Sequence, residues 1–123
     1  MLNQTVVRLL TWWILLGANA ANAGDCLISG SPVRLLESET VEWTLVIGSG
    51  QTCIRGLRSG AMLLDSVSLA SSAKTGSATV QGYSFTYRAP ADYKGEDTFS
   101  VRIVGTNRGI RGQSTIHVHI NVR

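Results

Sequence analysis

The stretch Tyr83 to Ile103, YSFTYRAPADYKGEDTFSVRI, limits what this chain can fold into more than any other. Tyr83, Phe85 and Tyr87 alternate with Ser84, Thr86 and Arg88. Phe99, Val101 and Ile103 alternate with Thr98, Ser100 and Arg102. An extended chain sends successive side chains to opposite faces, so a period of two gives each run one buried face and one wet face. Between the runs, Ala89 to Asp97 carries Pro90, Gly95 and the acids Asp92, Glu96 and Asp97, which is turn chemistry. The stretch predicts a strand, a corner and a strand.

The same period recurs on both sides. Thr40 to Ile47 places Val41, Trp43, Leu45 and Ile47 on one face, and Ser114 to Arg123 does the same with Ile116, Val118, Ile120 and Val122. Cys26 to Ile28, Thr52 to Arg55, Leu63 to Ala70 (Val67 and Leu69 inward) and Ser77 to Val80 complete the strand set. Gly48 to Gln51 and Ser71 to Thr75 are turns. Gly56 to Ala61 is ambiguous: Leu57, Ala61, Met62 and Leu64 could line one helical turn, but Gly56 and Gly60 disfavour a longer helix. Gly105 to Gly112, GTNRGIRG, is expected to be a flexible cationic loop. Seven to nine short strands with frequent turns predict an all-β fold, an antiparallel sandwich or barrel.

The N-terminus has a different character. Arg8 precedes the apolar run Leu9 to Ala18, and two small-residue sites follow, Ala18-Asn19-Ala20 and Ala21-Asn22-Ala23. That order describes a secretory signal peptide over residues 1–23, with cleavage after Ala23 or, second, after Ala20. An apolar run of about ten residues is too short to span roughly 30 Å of hydrocarbon, so no membrane span is expected after cleavage. Asp25 before Cys26 disfavours a lipoprotein. The expectation is one domain over residues 24–123, exported to the periplasm or beyond.

Without Arg8, the remaining ten basic and eight acidic side chains leave a mild net charge of +2. This is far from the strongly basic field of a nucleic-acid binder. Cys26 and Cys53 are the two cysteines. In an exported chain an even pair predicts a disulfide, with a free thiol pair or a metal site as alternatives.

From about Val67 onward the chain resembles the bacterial immunoglobulin-like, cadherin-like tandem-repeat domains of surface and secreted proteins. Phe85-Thr86-Tyr87, Pro90, Gly95, Asp97 and Phe99 match their F-T-Y-x-P-x-x-x-x-G-x-D-x-F pattern, and Thr115 to Val122 matches their last strand. Gly76 stands at the glycine of their Pro-x-x-Gly turn, although Ala73 replaces the proline. The resemblance implies an immunoglobulin-like β-sandwich, here in single copy behind a signal peptide. The N-terminal portion is not the usual repeat beginning. Cys26, Trp43 and Cys53 are similar to the Cys–Trp–Cys series of antibody domains, but their spacing is short for a bridge between sheets. A local staple of the N-terminal strands is expected instead.

The motif residues have structural roles: Pro90 ends a strand, Gly95 takes positive φ at the corner, Asp97 accepts bonds from loop amides, and Tyr93 folds over the end of the core. His117 and His119 share a strand face and could begin a metal site, but no third ligand is near in sequence. Asp92, Glu96 and Asp97 offer few of the six or more oxygens that calcium needs. No G-x-S-x-G elbow, H-E-x-x-H, Walker loop or C-x-x-C occurs. No enzyme activity and no cofactor is expected. The candidate contact residues are Asn107, Arg108 and Arg111, since loops at the end of a sandwich carry recognition. Their arginines suit phosphate or carboxylate groups on an envelope glycan, a lipid or a protein partner. The expected role is a non-catalytic binding or structural module. The alternatives are a small secreted hydrolase with an unmarked site, and an inhibitor or chaperone-like partner using a sheet edge.

Overall fold

Alternation becomes eight strands: β1 (Cys26–Gly30), β2 (Glu39–Ile47), β3 (Thr52–Gly56), β4 (Met62–Ser71), β5 (Ser77–Gln81), β6 (Ser84–Arg88), β7 (Gly95–Asn107) and β8 (Ile110–Val122). The computed structural model describes residues 26–123, so the expected leader and both cleavage sites lie outside the described residues. Strands β1-β2-β8-β7-β4 form one sheet and β3-β6-β5 the other. All neighbours are antiparallel except β2 and β8, which run parallel with Glu39 beside Ser114 and Ile47 beside Val122. The fold is therefore the expected β-sandwich, with one parallel pair joining its second and last strands.

The core lies between the inward faces. Val41, Trp43, Leu45 and Ile47 of β2, Phe99, Val101 and Ile103 of β7, and Ile116, Val118 and Ile120 of β8 are buried against Phe85 and Tyr87 of β6. Phe85 meets Phe99 edge to face at 5.2 Å between centroids, and Tyr87 stacks on Phe99 at 5.8 Å. Such pairs add about 0.5–1.5 kcal/mol each beyond burial of their area. Trp43 packs toward Phe85 and donates its indole N–H to the Ser31 carbonyl at 2.7 Å, so its one polar atom is satisfied.

The disulfide is present between Cys26 and Cys53, with a Cα–Cα distance of 5.8 Å. Its placement corrects the expected local staple. Strands β2 and β3 do not form a hairpin: the Gly48–Gln51 turn carries the chain from one sheet to the other, and β3 pairs with β6. Cys26 lies on the edge strand of one sheet and Cys53 on the edge strand of the other, so the bond closes one side of the sandwich. The short spacing is sufficient because one turn, rather than a full strand pairing, separates the sheets.

Two further differences concern irregular segments. Gly56 to Ala61 makes no helical turn; Leu57 plugs one end of the core and donates its N–H to the Tyr83 carbonyl, and Met62 N–H closes a turn on the Ser59 carbonyl. Gly105 to Gly112 is not a loop. Strands β7 and β8 stay paired out to Asn107 and Ile110, leaving only Arg108 and Gly109 to turn the chain. Both have positive φ, 53° and 82°, the backbone signature of a two-residue type I′ hairpin.

Candidate binding surface at the hairpin end

The two ends of the sandwich are built differently. At the corner end, Asp97 points inward from β7 and is 4% exposed. Its carboxylate accepts the backbone N–H groups of Lys74, Thr75, Gly76 and Thr98 and the Tyr87 hydroxyl. Burial alone would raise its pKa; the bonds from Gly76, Tyr87, Lys74 and Thr98 outweigh that and hold it below the ordinary carboxylate range. Three of the four amides come from the turn before β5, and the fourth is that of the adjacent Thr98. Tyr93 covers this end as expected, with its hydroxyl donating to the Glu96 carbonyl at 2.8 Å. Asp97 is therefore consumed by structural bonds, and Asp92, at φ 60°, sits in the corner turn. Among the described residues no group of three or more His, Cys, Asp or Glu side chains is placed to hold a metal ion.

The histidines lie on the outer face of the five-stranded sheet. His117 Nδ1 is 2.8 Å from Ser100 Oγ, and His119 Nε2 is 3.4 Å from Glu42 Oε1. Each ring is paired with a different neighbouring strand.

The hairpin end carries the concave surface. Residues 33–37 cross it, held by Glu39, whose carboxylate accepts Arg34 N–H at 2.6 Å, Leu35 N–H at 3.0 Å and the Ser114 hydroxyl at 2.6 Å. Burial works to raise the Glu39 pKa; the bonds from Ser114, Arg34 and Leu35, with the charge of Arg34, hold it lower. Leu35 is buried at φ 53° and lies directly against the hairpin, where Gly112 leaves room for its carbonyl. Gly105, paired with Gly112, makes the same room for the Leu63 carbonyl on the other side. The glycines that suggest a flexible loop in sequence instead let flanking chains close on a rigid hairpin.

A groove of about 530 Å³ opens between residues 33–37, the hairpin tip and the Ser59–Met62 turn. Leu36 and Ile110 are exposed beside it, and Arg34, Glu37 and Arg108 complete its charged rim. A second groove, of about 420 Å³, shares Ser59, Gly60 and Met62 and adds Arg58, Leu63 and Tyr83. A third joins them through Ser59 and Met62 and adds Arg55 beside Trp43. The guanidinium of Arg58 lies 4.8 Å from the Tyr83 ring centre and that of Arg55 5.7 Å from Trp43. Both are held on aromatic faces with their charge outward.

The three expected contact residues are near one another in the hairpin but do not act together. Asn107 donates to the Arg34 carbonyl at 2.9 Å and ties the hairpin to residues 33–37. Arg111 pairs with Asp65 on β4. Arg108 alone stands at the tip on the groove rim. Sequence reasoning missed Arg34, Leu36, Arg58 and Ile110. A signal existed for one of them: Ile110 is a large apolar residue inside an otherwise polar segment, whereas Leu36 belongs to the short apolar piece Val33 to Leu36. No protein-family model matches the chain, and no curated protein matches it in sequence.

Proposed function

We propose that this protein is a non-catalytic, exported binding module of immunoglobulin-like architecture, working in the bacterial periplasm or outside the cell, with the hairpin end as its contact surface. The observation that carries this reading is the continuous apolar and cationic groove system around Ser59–Met62. Four arginines, Arg34, Arg55, Arg58 and Arg108, line it together with exposed aliphatic side chains. Exposed apolar patches rimmed by polar groups mark interaction sites.

The strand arrangement supports the immunoglobulin-like part. The last strand pairs in parallel with an early strand and antiparallel with its predecessor, and the opposing sheet is formed by β3, β6 and β5. The inter-sheet disulfide suits an oxidising compartment. The carboxylates Glu39 and Asp97 support a non-catalytic role: both have lowered pKa values and accept bonds from backbone amides, so neither is tuned as a general acid. The sheet-edge alternative is weakened at β4, the ten-residue edge strand, whose pairing is interrupted at Leu64/Ser66 and Leu69/Ser71. Such bulges blunt an edge.

The test is retention of purified protein by a cell-envelope fraction. Arg108→Gln with Ile110→Ser should reduce retention at unchanged melting temperature. Equal retention of both proteins would reject the hairpin end as the contact surface.

A further inference from the structure

We infer that the hairpin end docks on an anionic lipid bilayer, the arginines meeting lipid phosphates while Leu36, Leu63 and Ile110 enter the headgroup boundary. This deepens the binding reading above and rests on it.

The described residues have five exposed large apolar side chains, and three of them, Leu36, Leu63 and Ile110, belong to this one end. Their clustering, not their number, requires an explanation, because isolated exposed leucines are ordinary. The surrounding charge is cationic. Arg34, Arg55, Arg58 and Arg108 line the grooves, the acids at this end are Glu37 and the already bonded Glu39, and Arg111 and Asp65 neutralise each other. Four guanidinium groups against two carboxylates complement an anionic surface.

The projecting chemistry fits a lipid surface. Protein interfaces concentrate their affinity in pocketed aromatic and arginine anchors. Here Trp43 is buried, and Tyr83 lies under Arg58. What projects is aliphatic and guanidinium, the pair of chemistries used by segments that lie in a membrane interface. The scaffold is also rigid. Asn107 and Glu39 fix residues 33–37 to the hairpin, so the apolar side chains are presented together without ordering on contact.

Co-sedimentation with vesicles tests this. Vesicles of phosphatidylcholine containing phosphatidylglycerol should bind the purified protein, pure phosphatidylcholine should not, and salt should weaken the association. Arg34→Gln with Arg108→Gln should lower the partition coefficient roughly thirtyfold, at about one lipid-facing charge each. Leu36→Ser with Ile110→Ser should lower it as well, while Lys74→Gln with Lys94→Gln, at the corner end, should leave it unchanged. Melting temperatures of all variants control for folding. An equal loss with the lysine pair would show attraction by net charge alone and overturn the proposal. Retention by an envelope fraction without vesicle binding would also overturn it, leaving the binding-module reading intact and pointing to a protein or glycan. Failure of both assays would reject both.

Discussion

The Tyr87 hydroxyl donates to Asp97 Oδ2 at 2.8 Å, linking the two sheets through a buried carboxylate. Gly76 makes the link accessible to the chain: a Cβ there would collide with the Tyr87 hydroxyl and approach the Arg88 carbonyl at 2.6 Å. Replacing Asp97 by Asn puts an N–H₂ where N–H and O–H donors converge. The expected loss is about 3 kcal/mol or more, since several buried donors lose an acceptor. Tyr87→Phe removes one charge-assisted bond and should cost about 1.5–3 kcal/mol. Urea denaturation of the two variants checks the order, and a Tyr87→Phe loss larger than that of Asp97→Asn would contradict the account.

The same pair sets a pH dependence. The folded pKa of Asp97 lies below its unfolded value, so its contribution is full above the unfolded pKa and is lost as pH falls through the folded one. Melting temperature should be flat down to about pH 5 and decline below it, with a shallower decline in Asp97→Asn. At the alkaline end, burial, then the bond to Asp97 and its charge, raise the Tyr87 pKa well above the ordinary phenol value. Tyr87 should stay protonated in an absorbance titration until the protein unfolds.

The disulfide is the one side-chain covalent tie between the sheets among the described residues, added to the main-chain crossings, and it joins two edge strands that share no backbone pairing. Restricting a loop of 27 residues in the unfolded chain stabilises by roughly 3–4 kcal/mol in the loop-entropy account. Reduction should lower the denaturant midpoint accordingly, without changing the strand signature in circular dichroism under native conditions. A change near zero would mean that hydrogen bonds and packing already hold β1 in place.

How far these features were legible follows from the range of the interactions behind them. Strand faces are local: the alternation at Thr40–Ile47, Phe99–Ile103 and Ile116–Val122 is the burial pattern apart from Ser100, which is buried beside His117, so the all-β fold could be read directly. The roles of Gly95 and Tyr93 were also local. Sheet membership was not. Whether β3 follows β2 as a hairpin or crosses to the other sheet depends on its pairing with β6, and Cys53 changes meaning with that choice. The hairpin was misread because glycine has two uses, conformational freedom and close approach, and Gly105 and Gly112 serve the second. Arg34 and Arg58 could not be assigned to the site, because segments distant in sequence bring Arg34 into the groove of Arg108 and Arg58 into the adjoining one.

That distinction between the uses of glycine is testable at single positions. A Cβ at Gly112 would overlap the Leu35 carbonyl oxygen and come within 2.8 Å of the Leu36 carbonyl oxygen. Both are backbone atoms, which cannot rotate away. Gly112→Ala must therefore lift residues 33–37 off the hairpin, where Glu39, Ser114 and Asn107 hold them. The expected cost is about 2–3 kcal/mol, within the range for overpacking a closed site. Gly56 is the control: it ends β3, and a Cβ there would meet nothing within 4 Å. Gly56→Ala should change stability by no more than about 0.5 kcal/mol, like other unobstructed surface positions. Equal destabilisation by the two substitutions would refute the close-approach role of Gly112. The prediction extends to function, because the Leu35–Gly112 contact sets the position of Arg34 and Leu36. Gly112→Ala should weaken retention by envelope fractions beyond any loss of folded protein.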